Sequence, residues 1–170
     1  MVRYEERVPF GWWLQGVLVL FASGVLSLTV WEAATGDASG SEAVLLYTVL
    51  PLVAAFLLGV AITFRYLRIV VTDAHLQFGY GPFKKRLRLQ EIESVESARY
   101  SMVPYAGWGI RYSTRGRRAW SVMSTSKGII VKLTENGKHR EYFVSTARPD
   151  ELLQDVRRGV PDRNAAQVVR

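Results

Sequence analysis

The sequence contains no cysteine. That excludes disulfides, thiolate nucleophiles, thiolate zinc sites and iron–sulfur clusters. Histidine is nearly as scarce: only His75 and His139, far apart and each within a strand-like segment. A zinc site would need both to converge with carboxylates, so no metal or other cofactor is expected. The G-x-S-x-G elbow, the HExxH helix, the P-loop and the glycine-rich dinucleotide fingerprint are missing too. Glu91, Glu93 and Glu96, beside a basic strand, read as a cross-strand charge match and not as a catalytic dyad. With no nucleophile, acid–base pair or metal set in view, the chain is expected not to be an enzyme.

Charge is absent from two long stretches. Residues 11–31 (GWWLQGVLVLFASGVLSLTVW) and 43–64 (AVLLYTVLPLVAAFLLGVAITF) hold no Asp, Glu, Lys or Arg. Each supplies the ~20 residues that cross a ~30 Å hydrocarbon core as a helix. Trp12, Trp13 and Trp31 near the ends of the first, and Tyr66 just past the second, suit the headgroup interface. Pro51 removes one backbone donor and predicts a kink. The loop between the spans, 32–42, carries three acids and no cation, while Arg3, Arg7, Arg65 and Arg68 flank the pair. Positive-inside bias therefore predicts a multi-pass protein of the inner cell membrane with both termini cytoplasmic. The first apolar run is longer than a signal-peptide core, and Glu5 and Glu6 offset its arginines, so cleavage is not expected. Neither span holds an ionisable group; Gln15 and a few Ser and Thr are its only polar side chains, which describes a passive anchor. Ala55 and Gly59 make a small-xxx-small step able to pack helices within the hairpin or between copies.

After residue 66 the period changes to short alternating runs. LRIVVT (67–72), HLQFGY (75–80), KKRLRL (84–89), SVESARYS (94–101), RAWSVMS (118–124), GIIVKLT (128–134) and HREYFVS (139–145) read as strands. Lys84, Arg86 and Arg88 fall on one face of the third, Leu87 and Leu89 on the other. Asn136-Gly137 predicts a hairpin turn. TARPDELLQDVRR (146–158) switches to helical period, with Thr146 as cap, acids in the first turn, and Leu152, Leu153 and Val156 on one face. The expected fold is an α+β membrane protein: a transmembrane helical hairpin and a small β-barrel of about seven strands capped by a C-terminal helix. Its boundaries are a cytoplasmic N-terminal tail (1–10), the hairpin (11–66), the cytoplasmic domain (67–158) and a flexible C-terminal tail (159–170).

Four segments of this domain carry a likeness: VVTDAHLQFGYGPF, RLRLQEIESVE, GWGIR (Gly107 to Arg111) and STARPDELL. With them, residues 67–158 resemble the bacterial pleckstrin-homology-like (PH-like) domains of small membrane proteins, in which a two-span hairpin before the domain is familiar. The resemblance implies a PH-like barrel and, usually, no defined molecular activity. Many phosphoinositide-binding PH domains gather cations around the loop between their first two strands. Here that loop is read as Thr72-Asp73-Ala74, which has no cation, so the resemblance does not bring that site with it.

From Arg65 to Arg158 there are 18 basic and nine acidic residues, an excess of nine against +7 for the whole chain. Two runs concentrate it: Lys84, Lys85, Arg86 and Arg88, then Arg115, Arg117 and Arg118. Such a domain beneath a bilayer sits in the negative potential of anionic phospholipid headgroups. Gly107 and Gly109 free the backbone around Trp108, which either docks structurally or, with Arg111 and Tyr105, binds something. The basic pI alone does not make a nucleic-acid binder, since no binding motif accompanies it. The expected function is a non-enzymatic membrane-anchored interaction module, engaging a protein partner or a second copy. The alternative is an anionic-lipid sensor using the basic runs.

Overall fold

The computed structural model describes residues 1–36, 40–102, 105, 107–113, 116–135 and 137–160. Arg115, Asn136 of the expected hairpin turn, and the tail from 161 onward lie outside the described residues. The chain divides into two compact units: 11–65, and a second built from 1–10 together with the chain from Tyr66 onward.

The first unit holds two 24-residue helices, α1 (Trp12–Thr35) and α2 (Gly40–Thr63), both long and apolar enough to cross a membrane. Each would extend about 36 Å at helical rise. They pack on one another through small residues: Ala22 and Ala54 are wholly buried and Ala61 nearly so. Ala55 and Gly59, by contrast, face outward, so the packing step expected there is not the one the hairpin uses. Helices meet where side chains are smallest, and seven residues separate Ala54 from Ala61, two turns along one face. Pro51 is accommodated by a π-helical turn over Leu45–Val49, with the Leu50 N–H reaching back to the Leu45 carbonyl. That wider turn absorbs the missing donor and the ring's bulk. At the other end, the Gln15 amide donates to the Arg65 carbonyl at 2.9 Å, satisfying an orphan acceptor beyond the end of α2.

The second unit opens with a strand and not with a tail. β1 (Val2–Pro9) alternates outward Arg3, Glu5 and Arg7 with buried Tyr4, Glu6 and Val8. It pairs antiparallel with β2 (Tyr66–Thr72), Pro9 opposite Tyr66, so the helical hairpin is an insertion between two neighbouring strands of one sheet. β3 (His75–Tyr80) and β4 (Phe83–Arg88) follow by hairpins, completing a sheet ordered β1-β2-β3-β4. Thr72-Asp73-Ala74 is therefore the connection between the second and third strands; the first connection is the helical hairpin itself.

A 3₁₀ turn at Leu89–Glu91 carries the chain into the second sheet, ordered β5-β8-β9-β7-β6. Its strands are β5 (Ile92–Arg99), β6 (Gly109–Tyr112), β7 (Arg117–Ser121), β8 (Lys127–Glu135) and β9 (Lys138–Ser145). β7 and β9 run parallel; the other pairs are antiparallel. Nine strands thus stand among the described residues where about seven were expected, in two sheets and not in a closed barrel. The two extra strands have plain causes. β1 precedes the apolar segment, and β6 is four residues long behind a glycine pair. Closure fails because both sheets keep edge strands, β1 and β4 in one and β5 and β6 in the other.

Between the sheets lies the core: Leu67, Ile69, Val71, Leu76, Phe78, Ile129, Val131 and Leu133, each at most 1% exposed. Gly79 matters here, because a Cβ would sit 2.2 Å from the Phe83 carbonyl oxygen, inside the β3–β4 crossing. The last helix, α3 (Pro149–Arg157), buries Leu152 and Val156 against β5, β8 and β1, while Leu153 is half-buried. Its N-cap is Arg148, and Thr146 stands two residues earlier, its hydroxyl accepting the Arg148 N–H at 3.0 Å.

Candidate functional site

Strand alternation sorts the first basic run. In β4, Lys84, Arg86 and Arg88 point to solvent while Lys85 and Leu87 turn inward. Arg86 donates to the Gln77 side chain at 3.0 Å, and Arg88 pairs with Glu91 at 3.3 Å. These three exposed cations line the edge strand of the first sheet.

The second run is split by the same rule. Arg117 and Arg118 are consecutive on β7 and so take opposite faces. Arg118 turns toward the first sheet, where its guanidinium lies 5.7 Å from the Tyr142 ring centre and donates to the Tyr142 hydroxyl at 3.3 Å. Lys85 approaches the same ring, at 5.7 Å, and its ammonium contacts Glu135 at 2.6 Å. Tyr142 in turn donates to Glu135 at 2.9 Å. One inward residue of each basic run thus meets the other around Tyr142. Burial works against the charge on Lys85, but its bond to Glu135 and the Tyr142 contact win, and its pKa is raised. Glu135 is held below the usual carboxylate range by the Lys85 bond, with Tyr142 assisting. Burial, then the Glu135 bond, push the Tyr142 phenol up.

Arg117 goes to the outer face of the second sheet and pairs with Glu141 at 3.4 Å. Glu141 sits opposite Lys132 on β8, so cation, anion and cation form one row across three strands. Beside this row Tyr105 is buried with Ala119 and Phe143. Tyr100 stacks on it, ring centres 5.6 Å apart. Burial, and then the neighbouring Glu141 charge, raise the Tyr105 pKa.

The GWGIR segment spends its arginine on itself. Gly107 and Gly109 have φ of 122° and 91°, conformations that side chains with a Cβ rarely adopt. Arg111 Nε donates to the Trp108 carbonyl at 2.9 Å, and a Cβ on Gly107 would come 3.0 Å from the Arg111 guanidinium. Trp108 is half-buried. The Tyr100 hydroxyl also donates to the Gly107 carbonyl. Turn, arginine and tyrosine brace one another, leaving Tyr105 inside and Tyr112 two-thirds exposed.

Sequence reasoning passed over two residues that organise the unit. Tyr142 joins the two basic runs. Glu6, 7% exposed, accepts from the Tyr4 hydroxyl at 2.7 Å, from the Thr146 hydroxyl, and from the Ala147 N–H at 3.1 Å. It ties the first strand to the β9–α3 connection. The signal was present as the alternation of Tyr4, Glu6 and Val8, but a glutamate at an inward position hides it.

No family model matches this chain, and neither a curated protein nor a solved structure does.

Proposed function

We propose that this chain is a non-enzymatic, membrane-anchored interaction module with a PH-like cytoplasmic domain that engages a protein partner along the β4 edge. The anchor rests on exposure. Val17, Leu20, Phe21, Val30, Leu52 and Phe56 are exposed on helices that are apolar all round. A surface of that kind supports a hydrocarbon surrounding. Pairing of Pro9 with Tyr66 brings the chain out of the hairpin beside the point where it entered. Two spanning helices so connected have both flanks on one side, and the arginines there favour the cytoplasmic face of the inner membrane.

The observation that carries the interaction reading is the difference among the four sheet edges. β1 is bound by the Glu6 network and touched by α3. β5 is covered by α3, with Arg157 donating to the Val95 carbonyl at 3.2 Å. All four border one strand, but among the described residues no helix packs on β4 or β6 as α3 does on β5 and β1. β4 is the longer, and its outward Lys84, Arg86 and Arg88 would repel a second β4, so this edge selects an acidic extended segment of another protein. A second copy would instead meet the outward Ala55–Gly59 face of α2. The same row of cations supports a second reading, contact with anionic headgroups.

A photo-crosslinking residue in place of Lys84 or Arg86, in native membranes, tests the first reading. A discrete protein adduct, lost when the other two cations become Glu, is expected. Adducts with lipid alone would replace it with the second.

A further inference from the structure

The described residues contain two buried side-chain nitrogens with no hydrogen-bond partner, Trp120 Nε1 and Arg140 Nε. Both are donors. Both also belong to the face that looks toward the first sheet. Trp120 follows Arg118 by two residues on β7, Arg140 precedes Tyr142 by two on β9, and Arg118 and Tyr142 are register partners. The two orphans therefore flank the Arg118–Tyr142 pair. Trp120 is 4% exposed and its ring lies 5.8 Å from that of Tyr142. Buried donors left without a partner are costly, so each calls for an acceptor that the described residues do not supply.

Charge points the same way. Among the described residues, Lys85, Arg118 and Arg140 gather near Tyr142 with one carboxylate, Glu135, an excess of two positive charges in that cluster, and Lys138 stands opposite Glu135 at its exposed end. Glu135 contacts only Lys85 and Tyr142 among them. Lys85 and Glu135 are each more than a quarter exposed, so the cluster is open to solvent on the β4 side.

We propose that this mouth between β4 and the β7–β9 pair binds a phosphate monoester. Such a group carries about −1.5 to −2 charge and three strong acceptor oxygens, matching the excess charge and the fork geometry of two guanidiniums. Glu135 occupies the site as an internal anion and moves aside from Lys85 when the ligand enters. The site is distinct from the exposed cation row of β4 and from the protein-docking edge. The phosphate comes either from a soluble ester or from a lipid headgroup.

The test uses the full chain in nanodiscs of neutral lipid, titrated calorimetrically with inorganic phosphate at constant ionic strength. Saturable binding is expected. Arg118→Gln and Arg140→Gln each weaken it about tenfold, the loss of one charge-assisted contact. Glu135→Gln tightens it several-fold, a gain that misfolding cannot produce. Nanodiscs containing phosphatidic acid separate the sources: suppressed phosphate binding assigns the ligand to the membrane, and unchanged binding assigns it to solution. Absence of saturable binding in both the parent chain and Glu135→Gln overturns the proposal. Binding indifferent to all three substitutions overturns it as well.

Discussion

Replacing Glu6 with alanine should cost the β-rich unit about 3 kcal/mol, because it strands two buried hydroxyls. In the intact chain Tyr4 is 7% exposed and Thr146 wholly buried, and both donate to Glu6. Each hydroxyl left without an acceptor costs about 1–3 kcal/mol. The Ala147 N–H, the third donor, belongs to an exposed residue and can turn to water, so it adds little. Arg148, 3.9 Å from the carboxylate and 5.2 Å from the Tyr4 ring centre, remains solvated and keeps its ring contact. The assay is denaturant unfolding of the full chain in detergent, read by near-UV circular dichroism. A double-mutant cycle with Thr146→Ala isolates the pair, since the Thr146 hydroxyl has no orphan to leave once both partners are gone; a coupling above about 1 kcal/mol is expected. A loss for Glu6→Ala below about 0.5 kcal/mol, or strict additivity in the cycle, would falsify the network's structural role.

Five further outcomes follow from the same geometry. A fragment starting at Tyr66 lacks Tyr4, Val8 and Phe10 from its core, about 1.5–3 kcal/mol each, and should aggregate. Joining residues 1–10 to Tyr66 through a two-residue turn should restore a soluble, cooperatively unfolding unit, because Pro9 already faces Tyr66. Gly79→Ala should abolish β3–β4 pairing, seen as rapid amide exchange there, since no shift short of moving the β4 backbone makes room. Stability should fall as pH rises above about 10. Burial raises the pKa of Tyr4, Tyr80, Tyr105 and Tyr142 in the folded state, so the unfolded chain loses those protons first and the native state is favoured less. At the acid end, Glu135 works oppositely: its contribution is present above the ordinary carboxylate range and is lost as pH falls through its depressed folded value, which Glu135→Gln removes.

Much of this protein was legible from sequence by itself. Two uncharged 20-residue runs could only be long apolar helices, because periodicity and the absence of charge are local properties. β2, β3, β4, β8 and β9 match their alternating runs to within a residue or two, and the amphipathic C-terminal helix was marked by its 3.6 period. Alternation alone placed Lys84, Arg86 and Arg88 outside.

Tertiary structure decided what local pattern does not encode. Residues 2–9 look like a charged tail until the sheet is assembled, because their partner strand lies beyond the whole helical hairpin, nearly sixty residues away. Arg117 and Arg118 read as one patch and act on opposite faces, because membership of a strand with a partner on each side fixes what each side chain can reach. The meeting of Lys85, Arg118 and Glu135 at Tyr142 depends on how two sheets face each other, as does the orphaning of Arg140 and Trp120. Composition supplied the cations; only the packing of β4 against the β7–β9 pair decided which of them stand together.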